Sequence, residues 1–389
     1  MISQAAALRK KAAEHSAYPD PNPRERKVRL NPEVFQLPFE KMREGYYSDK
    51  YFNRAKEILE KDNYHPTVLM QVFQRHNALL CGIDEAIAIL RQCTGTYDQD
   101  GNWIDGWDKL KVKALYDGDT IEPFESVMTI EGDYSLFAHL ETDYLGVLSR
   151  RTRVATNTKA VVQAANGKPI LFFPARFDHH MVQTGDGYAA YITGALGVST
   201  DAQGEWWGSH GLGTIPHGLI ASYGGDTVKA TVKFAEHIDP DINVIALVDF
   251  ENDSVNTSLA CAKALGKKLW GIRLDTSGTM VDKSLWEDMS VFPPTGVNPK
   301  LVKKVRTALD EAGYDWVKIV VSGGFTPEKI KLFENLQVPV DVYAVGSALL
   351  QGCYDFTADI VMMKENEEWI PCAKVGRKYK PNPRLDLVD

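Results

Sequence analysis

Short apolar runs separated by amphipathic stretches dominate the second half of the chain. Strands are expected at Ile170 to Phe173, Val244 to Asp249, Leu269 to Leu274, Val317 to Val321 and Val342 to Val345, with weaker ones around Gly197-Val198-Ser199 and Leu212-Gly213-Thr214. Near-continuous apolar strands with helices between most of them imply a parallel sheet covered on both faces. Five clear strands and two weak ones suit an incomplete (β/α) barrel; an open doubly wound sheet is the alternative.

The first half lacks that rhythm. Polar, proline-bearing residues up to about Asn31 read as an arm. A helix follows from Tyr51 to Glu60, with Phe52, Ala55, Ile58 and Leu59 on its apolar face. Strands are expected at Thr67 to Phe73, Lys111 to Leu115 and Glu125 to Ile130, and a helix from Gly82 to Cys93; Asp117-Gly118-Asp119 turns the chain between two of the strands. This mixture suggests an α+β sandwich. A long helix from about Leu136 to Ala164 then links the two architectures. After Asp355 the rhythm stops again, with candidate strands at Asp359 to Met363 and Cys372 to Val375. The expected division is 1–135 with 355–389 as an α+β sandwich domain, 136–165 as a connecting helix, and 166–354 as a (β/α) barrel-like domain.

Two turns carry the first chemical hint. Val320-Val321-Ser322-Gly323-Gly324-Phe325-Thr326 and Ala344-Val345-Gly346-Ser347 each run from an apolar strand through a Gly/Ser turn into a helix start. Backbone N–H groups and a helix N-terminus then converge on one point, which is how a chain cradles phosphate. Either turn alone reads equally well as a tight turn. As the last two strand ends of a βα series, the pair matches where barrels hold phosphorylated ligands.

Other strand ends are polar too, and in parallel α/β units such ends hold the working residues. Arg176 and Arg273 offer bidentate forks for anions. Surface or interdomain ion pairing is the competing role, weaker for Arg273 because Ile272 and Leu274 flank it in a buried strand. Asp249, Glu251 and Asp275 gather negative charge at the same rim, suited to Mg²⁺ or to a cation that develops during reaction. Helix capping competes for Asp253 and, more weakly, for Asp249. His217, just before a helix, is the reactive candidate, with capping or packing as its alternative. His179 and His180 are adjacent, without the spacing of a zinc site. No GxSxG elbow is present, and Lys318 precedes its strand, so a Schiff-base lysine is not evident.

A formal charge of −8 without a dense Lys/Arg run argues against nucleic-acid binding. Five scattered cysteines, none spaced CxxC, read as reduced structural thiols of a cytosolic protein. No apolar run approaches the ~20 residues of a membrane helix, and the start lacks a signal-peptide core. A soluble cytoplasmic protein is expected.

Taken together, the residues resemble the nicotinate phosphoribosyltransferase family of type II phosphoribosyltransferases. The resemblance runs through Gly45-Tyr46-Tyr47-Ser48-Asp49-Lys50-Tyr51-Phe52, Asp117-Gly118-Asp119, Glu125-Ser126-Val127, and Glu141-Thr142 to Arg153-Val154-Ala155-Thr156. It continues through Arg176, Gly197-Val198-Ser199-Thr200, Gly213-Thr214-Ile215-Pro216-His217, Arg273-Leu274-Asp275, Ser322-Gly323-Gly324 and Val345-Gly346-Ser347. It implies transfer from 5-phosphoribosyl-1-pyrophosphate to nicotinate, with Mg²⁺ and with ATP as co-substrate, in NAD salvage. By the same resemblance Ser322, Gly323, Gly324, Gly346 and Ser347 hold the 5′-phosphate. His217 takes a phosphoryl group from ATP, Arg273 and Asp275 form the active-site Arg-x-Asp, and Arg176, Ser199 and Thr200 line the pocket. Tyr51 would cover the pyridine ring across a homodimer or higher homo-oligomer with shared active sites, and Phe177 would form the ring's other wall. Asp249 and Glu251 add substrate contacts, and Asp249 with Asp275 would hold Mg²⁺. The chain departs from relatives at Thr276-Ser277-Gly278-Thr279, where an Asp is usual, and at Gly218, where Ser is usual; both bear on the ATP coupling. A Cys-rich metal knuckle found in some relatives is not matched. Nicotinamide or quinolinate transfer, and a phosphate-binding barrel without catalysis, are the alternatives.

Overall fold

The computed structural model describes residues 28–389. The described chain divides into two compact units. One spans Asn157–Gln351, and the other holds the residues up to Thr156 and from Gly352 to Asp389. The boundary falls inside the long helix Glu141–Ala164.

The first unit is built on six parallel strands: β1 (Ile170–Phe172), β2 (Gly197–Val198), β3 (Val244–Leu247), β4 (Leu269–Leu274), β5 (Lys318–Val321) and β6 (Val342–Val345). Their order is β3-β4-β5-β6-β1-β2. The first strand in the chain therefore pairs with the last, Val345 opposite Phe172, which is the seam that curls a βα series into a barrel. An isolated parallel bridge from Val198 to Gly211 extends the other edge, at the place of the weak third strand. The sheet goes no further round among the described residues, so the barrel is incomplete. Leu171, Ile245, Val320, Val342 and Ala344 form one buried cluster across four of the strands.

Between strands run α1 (Gln183–Ile192), α2 (His217–Ser222), α3 (Thr227–His237), α4 (Ser254–Leu265), α5 (Pro299–Glu311) and α6 (Pro327–Asn335). Side-chain caps set several of their starts. Asp226 accepts from the Lys229 N–H, Asn298 from that of Leu301 and Thr326 from that of Lys329, and Pro299 and Pro327 occupy first helical positions.

The second unit is a six-stranded antiparallel sheet ordered Glu368–Pro371, Thr357–Glu365, Thr67–Phe73, Met128–Asp133, Lys111–Ala114, Asp386–Leu387. The helix Ile83–Cys93 buries most of its side chains in a core shared with Val68, Met70, Val112, Ile130, Tyr144 and Leu148.

Several expectations need correction here. Leu30 is buried, its N–H donates to Asp84 Oδ2 at 2.8 Å, and Arg29 pairs with the same carboxylate at 3.1 Å. The sheet unit therefore takes up the chain by Arg29, and the rest of the expected arm lies outside the described residues. Ile58 points to solvent, 65% exposed, because Lys56 turns inward and donates to the Gly95 and Ser135 carbonyls. The long helix begins at Glu141; the two turns before it are 3-10, broken at Phe137 with φ −132° and ψ 0°. The last hairpin closes over Asn366 and Glu367, both left-handed with φ 49° and 66°, as a two-residue loop of this kind requires. That loop places the returning strand at Glu368–Pro371, and Cys372 to Val375 lie beyond it. Cys81, Cys93 and Cys261 are buried, but Cys353 and Cys372 are exposed and support no core. Among the described residues no helix is long and apolar enough to cross a membrane.

Candidate active site

β5 and β6 are parallel neighbours with Val320 opposite Val342 and Val321 opposite Tyr343. Both glycine turns therefore leave the same carboxyl edge, about 4.8 Å apart at the strand level. Gly323 and Gly324 are both left-handed, φ +82° and +70°, a conformation in which an L side chain is strained. Both are exposed and carry no side chain, so an anion can approach the N–H groups of the turn, as it does in a nest. At Gly323 an added Cβ would also rest 3.4 Å from the Asp275 carboxylate and backbone oxygen. Gly346 has φ −115° and ψ −107°, and a Cβ there would meet the Phe177 ring at 2.7 Å. Phe177 is thus packed on the second turn, with the Arg176 guanidinium 5.2 Å from its ring centroid.

Alternation along β4 puts Arg273 and Asp275 on one side, and the register sets Arg273 beside Val320, two residues before Ser322. The Ser322 hydroxyl donates to Asp275 Oδ1 at 2.6 Å, and Arg273 Nη1 lies 3.7 Å from Asp275 Oδ2 and 3.5 Å from the same hydroxyl. Buried Arg273 Nε has no partner. A guanidinium with spare donors beside an anion nest is the arrangement expected of an oxyanion clamp.

His217 opens α2 and sets its Nε2 3.1 Å from Asp249 Oδ1 at the end of β3. The Asp249 side chain is 7% exposed and the imidazole 45%. Burial raises the Asp249 pKa; His217 counters the shift and the Asp275 charge adds to it. Two carboxylates at one rim, one of them desolvated, form an oxygen-rich pair whose repulsion a divalent cation would relieve. Mg²⁺ sites need only one or two carboxylates besides substrate phosphates and water, so the donor set fits that ion.

Other expected site residues lie elsewhere or are engaged. Thr200 caps the one-turn helix Asp201–Gly204 in a reciprocal box with Gln203, and its hydroxyl donates to Gln183 Oε1 at 2.8 Å. The Ser199 hydroxyl donates to Gln203 Oε1 at 3.1 Å. Glu251 is exposed in the turn after β3. Asp253 stands at the N-cap of α4 but spends its carboxylate on Asn256. Tyr51 belongs to the sheet unit, where it is 61% exposed and its hydroxyl donates to Asp49 at 3.2 Å. The His179 and His180 rings lie 4.3 Å apart on the exposed loop after β1. Two residues escaped the sequence reading. Asn157 donates to the Leu349 and Gln351 carbonyls at 3.2 and 2.7 Å, tying down the turn that begins at Ser347. Lys329 donates to the Gly323 carbonyl at 3.3 Å.

Comparison with known proteins places this geometry. Residues 49–152 match the quinolinate phosphoribosyl transferase N-terminal domain family. A nicotinate phosphoribosyltransferase of Mycobacterium tuberculosis is 28% identical over 70% of this chain and 57% of its own length. One of Bacillus subtilis is 23% identical over 68% and 51%. The crystal structure of a nicotinate-nucleotide pyrophosphorylase from Pyrococcus furiosus is similar over 91% of this chain and 85% of its own, with 34% identity and a TM-score of 0.74. The chain belongs to the nicotinate phosphoribosyltransferase family of type II phosphoribosyltransferases. The human nicotinic acid phosphoribosyltransferase, 16% identical with a TM-score of 0.61, shares the fold. The chain spans about half the length of the curated relatives it matches.

Proposed function

We propose that this family member transfers the phosphoribosyl group of 5-phosphoribosyl-1-pyrophosphate to nicotinate, releasing pyrophosphate and forming nicotinate mononucleotide in NAD salvage in the cytoplasm. The observation that carries this reading is the linked set Arg273, Asp275 and Ser322 directly beside the Gly323-Gly324 nest.

The 5′-phosphate sits on the N–H groups of Gly323, Gly324, Gly346 and Ser347. Departure of pyrophosphate from C1 leaves positive charge on the ribose, which the Asp275 carboxylate stabilises, while Arg273 takes up charge on the leaving oxygens. Ser322 fixes the Asp275 carboxylate so that little reorganisation is left for the reaction. The pyridine nitrogen needs only to be held in line behind C1. Asp249 and Asp275 would hold Mg²⁺, which supplies charge neutralisation for the pyrophosphate. With Asp249 accepting the Nε2–H of His217, Nδ1 carries the imidazole lone pair and is the atom that would accept a phosphoryl group from ATP. Exposed Tyr51 of the partner subunit would cover the pyridine ring in a homodimer or higher homo-oligomer.

The matched domain family favours quinolinate as the second reading of the acceptor. Its additional carboxylate calls for a further cation at the rim. The deciding assay is pyrophosphate release with nicotinate, nicotinamide or quinolinate, each with and without ATP. Turnover is expected with nicotinate and a rise with ATP that H217A abolishes; carbon dioxide release from quinolinate without nicotinate turnover would replace the leading reading.

A further inference from the structure

α6 starts immediately after the Gly323-Gly324 turn, and Lys329 is the third residue of that helix. The first turn of a helix carries partial positive charge, so acids gather there and a lysine is electrostatically misplaced. Glu328 follows that rule; Lys329 breaks it.

Its surroundings sharpen the anomaly. The stem lies against buried aromatic faces, with Nζ 4.3 Å from the Phe325 centroid and 6.0 Å from that of Phe333. Nζ donates to the Gly323 carbonyl at 3.3 Å. Among the described residues it forms no ion pair, whereas Lys300 and Lys304 share Asp288 and Lys318 pairs with Asp341. Burial lowers its pKa, as expected for an ammonium held without a counter-charge. A cation kept at the positive end of a helix, half-buried and held by one carbonyl and an aromatic face, has N–H donors and a charge left for an anion. The neighbouring nest is the place where the proposed function puts one.

We propose that Lys329 is a ligand-binding residue that supplies the counter-charge for the terminal 5′-phosphoryl group at the Gly323-Gly324 turn. The inference rests on the phosphoribosyl reading of the site. The carbonyl bond holds the ammonium at the turn before ligand arrives, and the phosphoryl oxygens then complete its shell with charge-assisted bonds. The nest supplies shape and neutral donors. Lys329 supplies the charge.

The test is calorimetric titration of the wild type, K329M and K329R with phosphoribosyl pyrophosphate, ribose 5-phosphate and inorganic pyrophosphate, alongside thermal melting. Methionine keeps the stem on the Phe325 face and removes only the charge. K329M is expected to bind both phosphorylated sugars about 10- to 100-fold more weakly, with inorganic pyrophosphate unchanged, and K329R to recover most of the loss. Equal sugar-phosphate affinity in wild type and K329M overturns the inference and leaves the transferase reading standing. Equal weakening of all three ligands also overturns it, since that marks a structural role. A wild type that binds neither sugar phosphate removes the transferase reading, and the inference falls with it.

Discussion

Gly346 shows how a single missing methyl group shapes this site. Its backbone is held at φ −115° and ψ −107°, and the space a Cβ would take is filled by the Phe177 ring at 2.7 Å. G346A must therefore push the ring or the turn, at a cost of about 1–3 kcal/mol. If the turn yields, the KM for phosphoribosyl pyrophosphate should rise about 10-fold or more with little change in kcat. F177L in the same chain should restore part of the loss by freeing the space; steady-state kinetics of the double variant checks this, and a purely additive loss would show that Phe177 is not the obstacle. Asp275 should behave differently. D275N keeps the size and the Ser322 contact but removes the charge opposite the developing cation, so kcat should fall about 100-fold, and the Mg²⁺ concentration for half-maximal rate should rise as well.

At the scale of elements, the βα strands were legible because each is a short apolar run bounded by turn residues, and neighbouring runs supply mutual burial. What sequence could not give is which strands pair. The seam of Val345 against Phe172 is a long-range choice made by curvature and helix packing, and it brings the loop carrying Phe177 onto Gly346. His217 and Asp249 were each picked out for their chemistry, but their pairing at 3.1 Å needed the positions of α2 and β3. Ser199 and Thr200 show the opposite case. Thr200-Asp201-Ala202-Gln203 carries the T-x-x-Q signature of a capping box, a local role legible in the sequence; Thr200 accepts from the Gln203 N–H while its hydroxyl donates to Gln183, and the Ser199 hydroxyl donates to Gln203. The Asn366-Glu367 hairpin hid because neither residue is glycine, the usual mark of a two-residue turn. Element geometry also gives a prediction. The Asn157 amide donates to both the Leu349 and Gln351 carbonyls, so N157L should free the segment after Ser347. The expected result is faster amide exchange across 347–351 and a loss of about 1–2 kcal/mol in chemical denaturation; unchanged exchange there would mean that the turn is held by its own backbone.

For the whole molecule, a buried and a half-buried group of the sheet unit, His139 and Glu141, oppose each other in setting how stability varies with pH. His139 is 1% exposed, and burial, helped by the charge of Lys56, pulls its pKa down to about 3. An unfolded histidine titrates near ~6.5. Between those values the unfolded chain holds a proton that the folded chain lacks, so stability is full above about 6.5 and declines as pH falls toward about 3. Glu141 works in the other direction. Burial, with the Asp359 charge adding to it, raises its pKa to about 8, against ~4.3 when unfolded. Its contribution is full below about 4.3 and is lost as pH climbs to about 8. Asp143, raised by burial to about 6, adds to the same trend lower in the range. From about 4.3 to 6.5 the histidine and carboxylate slopes offset one another. Of these three groups, only Glu141 still titrates differently in the two states between 6.5 and 8, and below about 4 the His139 slope remains. Urea midpoints measured from pH 3.5 to 8.5 should therefore show H139L losing less stability than wild type on the acid side, and E141Q keeping its midpoint between 6.5 and 8 where wild type declines. A wild-type profile parallel to H139L below pH 6.5 would mean that His139 takes up its proton in the folded state, and that the buried ring finds a hydrogen-bond acceptor when charged.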